Sequence, residues 1–190
     1  MAGIAVFTSF GPAEKTLGTN VRIVYLHGAW VWAALVSFGA AAASGLLGLL
    51  TRQFTWHTWS QALGRTGLFF WITYLPISLW AMQTNWNGLF MSEPRWRLAV
   101  IFSITGLLLQ IGLSLVRRPV WTSLANAIYF TVLLVVLQTT DQVLHPASPI
   151  LTSEVVNIQI YFISLVALTV LAAWQVARWW RCHDTLGSKA

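Results

Sequence analysis

Five long apolar runs, over residues 21–50, 60–83, 97–116, 120–139 and 155–180, are set apart by short stretches where charge, polarity or proline collects. A helix rises about 1.5 Å per residue, so crossing a hydrocarbon layer of about 30 Å takes roughly 20 mostly apolar residues. Each run meets that length, and the pattern predicts five membrane-spanning helices. The breaks between them have physical causes. Arg52 and His57 interrupt 51–60, and Glu93 and Pro94 interrupt 83–97. Arg117, Arg118 and Pro119 make a tight hairpin, and Pro146 and Pro149 stand in the polar stretch 141–154. Proline fixes its own φ and cannot donate to a helix ladder, so each marks a boundary. The expected fold is all-α: one integral membrane bundle with a polar arm at 1–20, a five-helix domain at 21–181 and a tail at 182–190. No repeat, low-complexity tract or long linker divides it. The arm lacks a basic leader and carries Gly3, Gly11, Pro12, Glu14 and Gly18 in place of a continuous apolar core. It therefore reads as a segment along the membrane surface rather than a cleaved signal.

Composition strengthens the membrane assignment. Only 8% of the residues are charged and 57% are hydrophobic, where soluble domains carry about 25% charged residues. In such a chain the net charge of +6 points to orientation in the bilayer, not to nucleic acid. With five spans, one side holds Arg52, Arg65, Arg117, Arg118, Arg178, Arg181 and Lys189, and the other Lys15, Arg22, Arg95 and Arg97. The richer side is expected to be cytoplasmic. That puts the N-terminus and the loops 83–97 and 141–154 outside, the C-terminus in the cytoplasm, and the protein in a cell's inner (cytoplasmic) membrane. The twelve tryptophans suit headgroup-level rings or the walls of a cofactor site. In the first span Ala41 and Gly45, like Ser44 and Gly48, stand four apart, a spacing that lets helix backbones approach closely within a bundle or between copies.

Catalytic patterns are not found. The spans hold no buried carboxylate or lysine of the kind that marks an ion path. Serines and threonines show no partnering base on the same face, and no glycine-rich phosphate loop is present. Cys182 is the single cysteine, which rules out an internal disulfide and fits no metal-ligand spacing. The chain is not expected to be an enzyme.

The histidines are more informative. His57 and His183 fall near span ends on the arginine-rich side, where a solvated or headgroup-facing ring suffices. His27 and His145 both fall at the opposite face, on different segments. Two imidazoles meeting at one depth between apolar walls are what an axially ligated haem iron requires.

The stretches that carry these rings are "RIVYLHGAWVW" from Arg22 and "LHPASPI" from Leu144. They resemble the two histidine segments of the haem-handling membrane proteins of cytochrome c assembly (CcmC/CcsA type), and Trp32 follows His27 at the family's spacing. Between the two segments that family has a tryptophan-rich outer loop of the form W-G-T-W-W-x-W-D-P-R. Here the stretch reads "WNGLFMSEPR". Trp86, Pro94 and Arg95 match, Glu93 replaces the aspartate, and Leu89, Phe90 and Ser92 stand where tryptophans are expected. The chain begins where the family's second span would, which implies one N-terminal helix fewer.

The resemblance implies a haem b held at the outer face with His27 and His145 as axial ligands, to be presented to a haem acceptor or partner subunit. Within it Trp86 would wall the macrocycle, and Arg95 and Arg22 would pair with propionates. Each of the three also has a plainer reading, as a belt indole or a lipid phosphate anchor. The thinned loop suggests an alternative: an accessory or structural subunit of a larger respiratory or photosynthetic membrane complex that has lost haem handling.

Overall fold

The computed structural model describes residues 1–140, 150–151 and 153–187, with side chains described as far as residue 183. His145 and Lys189 lie outside the described residues. Six helices follow one another: α1 (Ala2–Ser9), α2 (Val21–Thr51), α3 (Phe54–Trp86), α4 (Pro94–Val116), α5 (Pro119–Thr139) and α6 (Val156–Gly187). No strand occurs among the described residues, so the fold is all-α as expected.

Four of these helices are long and apolar enough to cross a membrane: α2, α4, α5 and residues Val156–His183 of α6. The five-run reading differs at α3. That helix has 33 residues, ample length, but Arg65, two glutamines and five threonines dilute its apolar surface. It is the central packing element, touching α2, α4, α5 and α6. Trp71 and Phe70 are buried in the middle of it, and Trp71 donates its indole N–H to the Ala99 carbonyl of α4 at 3.1 Å.

The turns are short because their chemistry is local. Arg52, Asn87 and Arg117 take left-handed backbone angles (φ of 57°, 49° and 52°) and end α2, α3 and α4, the conformation in which many helices stop. Pro94 and Pro119 occupy the first helical positions of α4 and α5, where a missing N–H costs nothing. The Glu93 carboxylate accepts from the Trp96 backbone N–H at 2.6 Å and caps α4. Successive antiparallel helices then bring the start of α2, the end of α3, the start of α4 and the end of α5 to one end of the bundle.

The small-residue stripe of α2 is buried inside the bundle. A Cβ at Gly45 would lie 2.8 Å from the Ser123 carbonyl oxygen, and one at Gly48 would lie 2.8 Å from Nδ1 of His57. His57 is therefore not solvated, contrary to its expected place at a span end. It is 5% exposed and its Nδ1 lies 2.7 Å from Ser123 Oγ. Asn126 donates to the carbonyl and hydroxyl oxygens of Ser60 at 2.9 and 3.1 Å and accepts from Gln110 at 3.2 Å. The sequence-based view that no serine has a basic partner is thus corrected at Ser123. The pair is sealed between helices and does not line the cavity described below; it ties α2, α3 and α5 together as polar contacts do between membrane helices.

The first twenty residues also differ from the purely polar arm expected. Residues Ala2–Ser9 form a helix rich in apolar side chains that packs on α2 and α6. Three side chains of the bundle donate to arm carbonyls: Arg22 Nε to Gly11 at 2.9 Å, Tyr25 to Pro12 at 3.2 Å and Tyr161 to Phe7 at 2.9 Å. Phe7 stacks on Tyr161 with centroids 5.0 Å apart. Beyond them Glu14 and Gly18 close a small turn, in which the Glu14 carboxylate accepts from the N–H groups of Thr16 and Leu17 at 2.8 and 2.9 Å.

Candidate functional site

A cavity of about 330 Å³ opens at the end of the bundle where the arm docks. Its size lies at the lower end of the range of about 300–1,000 Å³ typical of small-molecule sites. One wall comes from α2, with Val24, His27, Gly28 and Val31. These residues recur at the helical period, so they share a face. The facing wall comes from the second half of α3, where Trp71, Tyr74, Ser78 and Met82 follow the same period and Trp86 ends the series. Glu93, Arg95 and Trp96 close the rim from the start of α4.

The His27 ring stands 5.4 Å from the Tyr74 ring, inclined at 58°. It lies six residues into α2, roughly 9 Å below the helix start at 1.5 Å per residue. Next to it Gly28 is close against α6: a Cβ there would lie 3.1 Å from the Phe162 ring. A larger residue would push α6 away from the wall. Pro76, midway between Tyr74 and Ser78, removes a rung from the α3 ladder beside the cavity.

Arg95 gives the rim its positive charge. One terminal nitrogen donates to the Leu137 carbonyl at the end of α5 at 3.3 Å, which aims the side chain across the bundle end. Its Nε is buried and has no hydrogen-bond partner among the described residues, and the same holds for the Trp96 indole N–H. Two donors left over in an apolar setting are costly and suit a ligand that brings oxygen acceptors. Among the described residues no three histidine, cysteine or carboxylate side chains converge as a metal centre.

Of the residues expected from sequence, His27, Trp86 and Arg95 are brought to this one cavity. Arg22 is not among its lining residues; its guanidinium holds the arm instead. His145 cannot be compared, since it lies outside the described residues, but Leu137 and Ile150 on either side of that stretch both line the cavity. The apolar residues of the loop between α3 and α4 turn outward: Leu89, Phe90 and Met91 are 53%, 38% and 43% exposed. Sequence reasoning missed Tyr74, Trp96 and Glu93 as site components. The i, i+4 and i+8 spacing of Tyr74, Ser78 and Met82 was available as a signal, though buried core shows the same period.

No family model, characterised protein or solved structure matches this chain. Its function is therefore argued from the cavity.

Proposed function

We propose that the protein is an integral membrane haem-binding protein, similar in role to the haem-handling proteins of cytochrome c assembly, which holds and presents haem b at one membrane face. The observation that carries this reading is the meeting of His27, Trp86 and Arg95, from three separate parts of the chain, around one apolar cavity. The donor set fits the group. His27 offers an imidazole for iron, the indole and phenol rings of Trp71, Tyr74 and Trp86 offer walls for a flat macrocycle, and Arg95 offers a guanidinium for a carboxylate. His145, which lies outside the described residues, would supply the second ligand, as the resemblance of its segment implies. Arg22 is left out of this proposal because its Nε is already committed to Gly11.

Bound there, haem would contribute only ligation chemistry, and the protein sets its exposure and surrounding charge. The chain's own residues do the rest. Arg95 orients the acidic edge toward the rim, and the aromatic walls exclude water from the iron side. The protein is not an enzyme in this reading; covalent attachment belongs to a partner, the haem acceptor. We further propose that α3 crosses the bilayer together with the four more apolar helices, giving five spans in a cell's inner membrane. Its central packing and its length support this. The count of seven against four basic residues supports a cavity on the outer side and a C-terminus in the cytoplasm.

Titration of the purified chain with ferric haem tests the proposal. His27→Ala is expected to abolish tight binding, and Arg95→Gln to weaken it about tenfold, corresponding to loss of a charged hydrogen bond of ~1.5 kcal/mol. Equal affinity in all three proteins would overturn it. The exposed Leu89, Phe90 and Met91 favour a second reading, an accessory subunit whose loop is covered by a larger complex. Protein that is colourless and stable only with its partners would support that alternative.

A further inference from the structure

At the end of the bundle remote from the cavity, α3 and α6 carry an ordered group of indoles and guanidiniums. Trp59 of α3 stacks on Trp174 of α6, with centroids 4.7 Å apart and planes 11° apart. Two turns further along α6, the Arg181 guanidinium stands 4.4 Å from the Trp59 ring centre. Arg65 lies 5.7 Å from the Trp180 ring, and Trp179 packs edge-on against Trp180. A guanidinium held over a ring by its face, as Arg181 is over Trp59, has its N–H donors along its edge, where another group can accept from them. No acceptor or ion-pair partner for Arg181 or the exposed Arg178 occurs among the described residues.

The sequence near this end is strongly positive. Arg52, Arg65, Arg117, Arg118, Arg178 and Arg181 stand against Asp184 alone. Tryptophan rings flanking an apolar helix mark the headgroup level of a bilayer, so Arg178 and Arg181 lie near the depth of lipid phosphates. Trp174 and Trp179 are 43% and 55% exposed, apolar surface that acyl chains would cover.

We propose that the α3–α6 seam is a seat for an anionic phospholipid, whose phosphate is gripped by Arg181 and Arg178 and whose glycerol region rests against Trp59 and Trp174. Charge complementarity selects an anionic over a zwitterionic headgroup. A single zwitterionic phosphate brings its own ammonium, which the arginine cluster repels. The seat is independent of the haem reading, since it shares no residue with the cavity. Its occupant would brace α6 against α3 at the leaflet surface.

The test uses the full-length protein reconstituted in bilayers of phosphatidylcholine with a minority of phosphatidylglycerol, then extracted in mild detergent, with retained lipids identified by native mass spectrometry. The wild-type protein is expected to keep phosphatidylglycerol in preference to phosphatidylcholine. Arg178→Gln and Arg181→Gln should each lower that retention about fivefold, the factor that matches ~1 kcal/mol per cation near an anionic surface. Arg181→Lys, which keeps the charge but loses the planar stack, should fall between. Displacement of the lipid by millimolar inorganic phosphate would show a general phosphate site and overturn the lipid assignment. Wild-type protein that retains the two lipids equally overturns the proposal without reference to any variant.

Discussion

His27 and Arg95 act through different physics, and their substitutions should separate cleanly. In the proposed haem site, loss of the imidazole would remove a ligand, and loss of the guanidinium would remove a fixed positive charge at the rim. Arg22 supplies the control. Its Nε donates to Gly11, so Arg22→Ala is expected to leave haem affinity within twofold while faster amide exchange appears over residues 1–12. A tenfold loss of affinity in that variant would return Arg22 to the site. Gly64 has little room: a Cβ there would lie 2.7 Å from Asn126 Nδ2. Gly64→Ala should destabilise the bundle by about 1–3 kcal/mol, the usual cost of overpacking, read as a lower midpoint of unfolding in detergent. An unchanged midpoint would mean that Asn126 can swing aside at no cost to its bonds with Ser60.

The elements respond to their ends. Arg52 closes α2 in a left-handed conformation, φ 57°, which costs an L-residue roughly 1–2 kcal/mol relative to glycine. Arg52→Gly is therefore expected to raise the thermal midpoint slightly, and a lowered midpoint would show that the arginine side chain contributes more than the strain removes. The arm responds to pH through Glu14. Backbone N–H groups of Leu17 and Thr16 hold its carboxyl below the ordinary value of 4.5. The folded-state pKa is depressed, so this contribution to the turn is fully present above pH 4.5 and disappears as pH falls through the lower folded value. Proteolysis within 10–20 should accelerate on acidification in the wild type, and Glu14→Gln should remove that dependence. Helix existence and type were legible from apolar runs, since five of the six helices were foreseeable to within a few residues at most ends. The extension of α3 back to Phe54 was not, because a polar start looks like a loop until α6 packs against it. The burial of His57 was also hidden: nothing in the chain says that Gly48 stands opposite it. Ala2–Ser9 escaped because its eight residues are too few to form a stable helix without tertiary support.

At the scale of the whole molecule, the two ends of one bundle differ in chemistry. One end gathers a titratable ring, aromatic walls and a lone guanidinium around a cavity; the other gathers arginines and indoles over a sealed polar seam. The joining of His27, Trp86 and Arg95 was legible as a set because order along the chain and alternation of helices put them at one end. The cavity between them was not, since its volume depends on how closely Gly28 lets α6 approach. The most direct test of the central claim is the absorption spectrum of the purified chain, oxidised and then reduced, with and without His27→Ala. The account predicts a six-coordinate, low-spin haem spectrum with sharp bands on reduction, lost in the variant. A colourless wild-type protein, or a spectrum that His27→Ala leaves unchanged, would contradict it.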